Sequence, residues 1–147
     1  MSEKNWFKEE SGDLFSVNYE SEWSLCHCVS ADLAMGAGIA VMFKRIFGRV
    51  DELRSQGKKV REIALLTTKK TDIYYLITKE RYFEKPTYNS LETTLLELRN
   101  LMLTRGKTKL AMPRIGSGLD GLDWTQVKEI IIKVFENTGI RVVVWYK

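Results

Sequence analysis

The chain has 147 residues, 44% hydrophobic and 29% charged, with 23 Lys and Arg against 19 Asp and Glu for a net charge of +4. That length fits one domain with a real core, and the composition is ordinary for a soluble globular protein. No apolar stretch approaches the roughly 20 residues of a membrane helix, the N-terminal Met1-Ser2-Glu3-Lys4-Asn5-Trp6 offers no signal region, and the mild basicity lacks the long basic run or motif of an RNA-binding protein.

Strand-like runs are expected at Trp6 to Glu9, Ser24 to Val29, Ile63 to Thr68, Ile73 to Thr78, Lys109 to Met112 and Arg141 to Trp145. Several are apolar on both faces, as in Ile73-Tyr74-Tyr75-Leu76-Ile77. Strands covered by helices on both sides read this way. A first helix is expected over Gly38 to Phe47, apolar at Ile39, Met42, Phe43 and Ile46 and stopped by Gly48, with a short second one over Val50 to Ser55. The third carries Leu91, Leu95, Leu98 and Met102 at helical spacing, with Asn89 and Glu92 as its N-terminal box and Gly106 as its stop. The last has Asp123 as its cap, Gln126 three residues on, and a stripe of Val127, Ile130, Ile131, Val134 and Phe135. Strands alternating with helices predict an α/β three-layer α/β/α sandwich with a mixed central sheet, in a single domain over 1–147 with a strand or extension at 1–9.

Cys26 and Cys28 form a CxC pattern and read as two buried thiols of a reducing compartment, too close in sequence for a usual disulfide. One histidine, His27, is too few for most histidine-rich metal sites, and structural zinc lacks further ligands, so no metal is expected.

In α/β folds ligands bind beyond the carboxyl ends of strands. Three features fall there. The stretch HCVSADLAMGAGIAVMFK, residues 27 to 44, runs from a strand through Met35-Gly36-Ala37-Gly38 into a helix. Lys79 ends the Ile73 strand. The loop PRIGSGLDG, residues 113 to 121, holds three glycines, an arginine and an aspartate before the last helix. Glycine lets the backbone approach an anion, and the N–H groups of such loops point at phosphate. Two glycine loops at strand ends suit a diphosphate between them. Aspartate repels phosphate, so Asp120 points to chemistry beside it.

Lys79 shares the parity of Ile73, Tyr75 and Ile77. It reads either as a solvent-seeking side chain or as a partly desolvated amine, a nucleophile towards an electrophilic sugar carbon. Asp120 is a turn residue or the matching acid/base, whereas Asp123 is explained by capping. Asp13 is a turn former or an acceptor for an exocyclic amine. Trp145 is core or a stacking surface for a base.

In this order, GDLF at 12–15, HCVSADLAMGAGIAVMFK at 27–44, YYLITK at 74–79, KPTY at 85–88 and MPRIGSGLD at 112–120 resemble the macrodomain family, nearest its terminal ADP-ribose protein glycohydrolase branch. The resemblance runs from about Glu10 to Trp145. It implies an ADP-ribose-binding fold with no metal and no cofactor. Asp13, beside Leu14, accepts from the adenine amine, and Trp145 packs on the ring where the family often has tyrosine. The segment Met35, Gly36, Ala37, Gly38 and Ile39 and the segment Pro113, Ile115, Gly116, Ser117, Gly118 and Leu119 hold the diphosphate and distal ribose. The resemblance also counts His27, at the start of the 27–44 motif, among the substrate-binding residues, and Ser30 falls at a distal-ribose position, where it can assist a deacylation. Lys79 and Asp120 match the branch's catalytic pair. Many macrodomains carry an Asn-rich turn after the second strand; here it is Ser30-Ala31-Asp32-Leu33, which favours the lysine route.

The implied activity is removal of mono-ADP-ribose, or terminal ADP-ribose chains, from glutamate or aspartate of modified proteins through a lysine–ADP-ribose intermediate. Deacylation of O-acyl-ADP-ribose and non-catalytic reading of ADP-ribose stand as alternatives, and a plain nucleic-acid-binding module rests on basicity alone. The expected partners are ADP-ribose and ADP-ribosylated proteins, with O-acyl-ADP-ribose a further substrate and no membrane. A monomer in nucleus and cytoplasm is expected, since so short a chain enters the nucleus passively.

Overall fold

The runs that are apolar on both faces become the strands of one sheet. In this computed structural model, which describes residues 4–16 and 23–147, these are β1 (Phe7–Ser11), β2 (Ser24–Ser30), β3 (Ile63–Thr67), β4 (Asp72–Lys79), β5 (Lys109–Pro113) and β6 (Arg141–Tyr146). The helices are α1 (Ile39–Phe47), α2 (Val50–Ser55), α3 (Tyr88–Thr104) and α4 (Trp124–Phe135). The strand order is β1-β6-β5-β2-β4-β3, every pair parallel except β3 against β4, so the expected mixed sheet is present. The strand expected at Trp6 to Glu9 lies slightly later, at the sheet edge beside β6. The first three residues of the expected extension at 1–9 lie outside the described residues.

Alternation along β4 divides the core in two. Ile73, Tyr75 and Ile77 pack with Phe43 of α1 and Leu53 of α2. Tyr74 and Leu76 pack with Leu91, Leu95 and Leu98 of α3 and Val127 and Ile131 of α4. All these side chains are at most 1% exposed. The layers are therefore helix, sheet, helix. Among the described residues no helix is long and apolar enough to cross a membrane.

Two expected helix details change. The cap of α3 is Thr87, whose side chain accepts from the Ser90 amide while the Ser90 hydroxyl accepts from the Thr87 amide. The residues of the expected box are otherwise engaged: Asn89 accepts from Arg61, and Glu92 pairs with Lys133 at 2.9 Å. On α1, only Phe43 is buried, while Ile39 and Ile46 are exposed. Phe43 stacks on His27 and meets the Phe15 ring edge to face at 4.9 Å, whereas Ile39 and Ile46 on the same stripe stay at the surface.

His27 lies on the α1 side of β2. It is fully buried and stacked on Phe43, with ring centroids 3.7 Å apart and planes 9° from parallel. Neither ring nitrogen has a hydrogen-bond partner among the described residues. Burial pulls its pKa down to about 3. At the amino end of β4, Asp72 is also buried. It accepts from Arg105 Nε at 2.8 Å and Nη2 at 3.0 Å and from the Tyr74 hydroxyl at 3.0 Å. Burial raises the Asp72 pKa, but the hydrogen bonds from Arg105 and Tyr74 outweigh it and leave the carboxyl below its ordinary value.

These two groups give stability separate pH windows. The folded state keeps His27 neutral while the unfolded chain protonates it, so stability falls as pH drops below about 6.5, approaching about 1.4 kcal/mol per pH unit. This is the chain's single histidine. Urea unfolding of His27→Phe is expected to lose the slope between pH 6.5 and 5, and a slope kept in the variant contradicts the assignment. The depressed Asp72 carboxyl works lower. Its contribution is present above the unfolded pKa near 4 and is lost as pH falls through the folded value. Arg105→Met is expected to cost about 2 kcal/mol at pH 7, below the range for fully buried pairs because Arg105 is partly exposed, and measurably less at pH 3.

Candidate active site

Strands β2 and β5 are neighbours, yet they pair only through Ser24↔Leu110 and Leu25↔Ala111. Beyond that point they diverge. The chain leaves β2 for β4 on one side and returns to β5 on the other, so the split is a topological switch point. A cleft opens there, with one lobe of about 800 Å³ over the split and a second of about 450 Å³ beside β6. Ile39 and Arg114 line both lobes, so the two adjoin.

The first wall is the segment between β2 and α1. Leu33 and Met35 hold positive φ, 53° and 46°, which is strained for residues with a Cβ. A network pins them. Asp32 Oδ1 accepts from the Ser30 hydroxyl and from the Ala34 amide at 3.1 Å, and Oδ2 accepts from the Tyr82 amide at 3.0 Å. Burial raises the Asp32 pKa, but these hydrogen bonds and the Arg81 charge together lower it, so it stays an acceptor. Gly38 then caps α1 with φ 62° and no side-chain hydrogen bond. The Val41 amide donates to Gly38 O at 3.2 Å, and Gly38, Ile39 and Ala40, at the amino end of the helix, line the cleft.

The second wall is the loop after β5. Gly116 has φ 73°, where a side chain is strained, and a Cβ there would stand 3.1 Å from Leu122 and 3.2 Å from Leu91 and crowd both. The Leu122 amide donates to the Gly116 carbonyl at 2.8 Å, the Ser117 hydroxyl to Arg114 O at 2.9 Å, and Lys85 Nζ to Leu119 O. The walls meet where a Cβ on Gly38 would lie 3.3 Å from Leu119.

Between them, Lys79 Nζ lies 2.8 Å from Asp120 Oδ1. The two side chains are 14% and 17% exposed. A register shift in the β2–β4 pairing, Val29↔Ile77 and then Ser30↔Lys79, places Lys79 beside Ser30. Asp120 comes from a single 3-10 turn, Gly118–Asp120, closed by the Gly121 amide on Gly118 O at 3.0 Å. The amine thus faces a carboxylate rather than apolar walls alone. A nucleophile and a group able to take its proton are in direct contact. Beneath them Cys28 stays a thiol: burial, then the Asp120 charge, push its pKa up to about 12.

The second lobe is aromatic, with Phe15 and Trp145 as walls. Asp13 Oδ1 accepts from the Phe15 amide at 2.9 Å, and Oδ2 lies 3.8 Å from Lys147 Nζ. Leu14 is buried at the base of this lobe. The Trp145 indole nitrogen is buried without a partner among the described residues.

Most of the residues singled out from the sequence, from Asp13 to Trp145, line one of the two lobes. Two of them have side chains otherwise committed. His27 is fully buried beneath the floor, and the Ser30 hydroxyl is bonded to Asp32. Sequence reasoning passed over Arg114, which bridges the lobes with its guanidinium 4.4 Å from the Tyr146 ring centre and 3.5 Å from Glu9. It also passed over Phe15, although it sits inside the GDLF motif. Among the described residues no group of three His, Cys, Asp or Glu side chains could hold a metal.

No family model matches the chain. Its sequence is 51% identical over 134 residues to the Bos taurus protein named ADP-ribose glycohydrolase OARD1, covering 91% of this chain and 87% of the relative. Its fold matches the macrodomain of Mycobacterium tuberculosis DarG with a TM-score of 0.83 at 20% identity, over 96% and 97% of the two chains. It also matches Thermosipho africanus DarTG, solved in complex with ADP-ribose, with a TM-score of 0.79 at 21% identity, over 91% of this chain and 39% of that one. The chain belongs to the macrodomain family, and its sequence relatives set it in that family's ADP-ribose glycohydrolase branch.

Proposed function

We propose that this protein is an ADP-ribose glycohydrolase that releases ADP-ribose from glutamate and aspartate side chains of modified proteins, through a covalent adduct on Lys79. The observation that carries the reading is the 2.8 Å contact of Lys79 with Asp120 at the mouth of a two-lobed cleft. A reader of ADP-ribose needs the loops but has no use for an amine held against a carboxylate.

The ligand's chemistry fits the cleft in order. Adenine suits the aromatic lobe between Phe15 and Trp145, with Asp13 as acceptor for its exocyclic amine. The diphosphate suits the α1 amides and the loop at Gly116 to Leu119, with Arg114 supplying positive charge. The distal ribose then reaches Lys79. Asp120 takes a proton from the ammonium, and the neutral amine attacks the anomeric carbon. The C–O bond to the protein breaks, and the carboxylate leaves with the electron pair and takes the proton from Asp120, which is ionised again. Asp120 next takes a proton from water, the hydroxide adds to the anomeric carbon, and the C–N bond breaks with the proton returning to Lys79. The products are ADP-ribose and an unmodified side chain. The free thiols Cys26 and Cys28 support action in a reducing compartment, the nucleus and cytoplasm.

Release of ADP-ribose from a glutamate-modified protein tests the assignment. Lys79→Ala is expected to lower the rate by at least about 100-fold while still binding ADP-ribose. A variant as active as wild type removes the lysine from the mechanism; wild type that binds without releasing leaves a reader. Asp120→Ala is expected to slow release and to accumulate an adduct of ADP-ribose mass on the protein. Full-rate release with no adduct contradicts the proton-transfer role.

A further inference from the structure

The mechanism makes no use of the loop that leaves β4. That loop, Glu80 to Lys85, presents Tyr82 and Phe83, 65% and 66% exposed. Their rings meet edge to face, with centroids 5.4 Å apart. Both line the lobe that contains Lys79 and Asp120, and so does Leu119, itself 64% exposed. Three of the most exposed large apolar side chains among the described residues thus surround one opening. Folding alone does not place them there, because exposing apolar surface forgoes the gain of burying it.

The loop is anchored rather than loose. The Tyr82 amide donates to Asp32 Oδ2, the Glu84 amide to Arg81 O at 3.0 Å, the Arg81 amide to Glu84 Oε1 at 2.8 Å, and Lys85 Nζ to Leu119 O. The aromatic pair is therefore held in place before any ligand arrives.

Its position identifies what it meets. With ADP-ribose laid from the Trp145 lobe to Lys79, the group projecting from the anomeric carbon towards this rim is the modified macromolecule. The charge of the loop decides its class. Glu80 and Glu84 balance Arg81 and Lys85, so the loop itself carries no net charge. A polyanionic nucleic acid is held by an excess of cations; an uncharged apolar rim suits a polypeptide.

Building on the glycohydrolase reading above, we propose that Tyr82 and Phe83, with Leu119 opposite, bind an apolar or aromatic side chain next to the modified carboxylate. The protein thereby selects acceptor sites that carry one.

Calorimetry with two glutamate-ADP-ribosylated peptides tests this, one with Leu or Phe beside the modified residue and one with Gly. Using the Lys79→Ala protein removes turnover from the measurement. The apolar-flanked peptide is expected to bind about tenfold more tightly. Adding Tyr82→Ser and Phe83→Ser is expected to abolish that preference and leave the affinity for free ADP-ribose unchanged. Equal affinity for the two peptides before the serine changes, or a preference that survives them, overturns the proposal. So does an ADP-ribosylated oligonucleotide that binds more tightly than either peptide and loses affinity with the serine changes. These binding readouts stand apart from turnover, so absence of release by wild type counts against the glycohydrolase reading and not against the rim.

Discussion

The parting of β2 and β5 after two residue pairs is the constraint on which the rest of the site depends. Parallel strands aim their carboxyl ends to one edge, and in a fully paired sheet the loops there would close over it. Here α3 carries the chain back over the sheet from β4 to β5, and α1 covers the opposite face, so nothing fills the gap between the two strands. The cleft follows from topology, not from a missing core residue. Both faces of the sheet are close-packed up to the split, where the rings of His27, Phe43 and Tyr75 pack against one another as a floor. Close packing fixes the strand ends, and with them the spacing of the glycine loops.

An aspartate in a phosphate-type loop looked out of place in the sequence. The structure shows how its charge is accommodated. Asp120 sits beyond the glycines, on a turn that aims it at Lys79, and the ion pair compensates it. The pair also fixes the reaction's starting state. In ligand-free protein each group holds the other in place, so the lysine does not wander into solvent. In the mechanism proposed above, a substrate entering between them meets the amine and its proton acceptor already in contact.

The sheet and the packed helices were legible because burial on both faces leaves long apolar runs. In β4, for instance, Ile73 to Ile77 all lie at or below 1% exposure. Helix termini were less legible. Asn89 with Glu92 has the spacing of a capping box, but tertiary partners had already taken both side chains. The box that formed uses Thr87 and Ser90, whose hydroxyls are short enough to reach each other's amides. On α1 spacing alone cannot separate Phe43, which is buried, from Ile39, which the glycine-loop motif assigned to the ligand and which lines the cleft. At the site, glycine loops and the Lys79–Asp120 pair stood out because few residue types do their work. Arg114 did not, since an arginine has many uses and its role depends on Glu9, Trp124 and Tyr146 arriving from distant segments.

The strained segment and the exposed rim belong to one mechanical unit. Asp32 is its centre: one oxygen restrains the segment in which Leu33 and Met35 adopt left-handed backbone, and the other holds the amide of Tyr82. Strain at Leu33 and Met35 is held by that carboxylate together with the Leu33 amide, which donates to Ser30 O at 2.9 Å, and by the burial of both side chains. The wall that suits the distal ribose and the rim that faces the acceptor are therefore not independent loops. A change that loosens Asp32 relaxes both at once, so the separation between holding ADP-ribose and choosing what it is attached to runs through the side chains of Tyr82 and Phe83, not through the backbone that carries them.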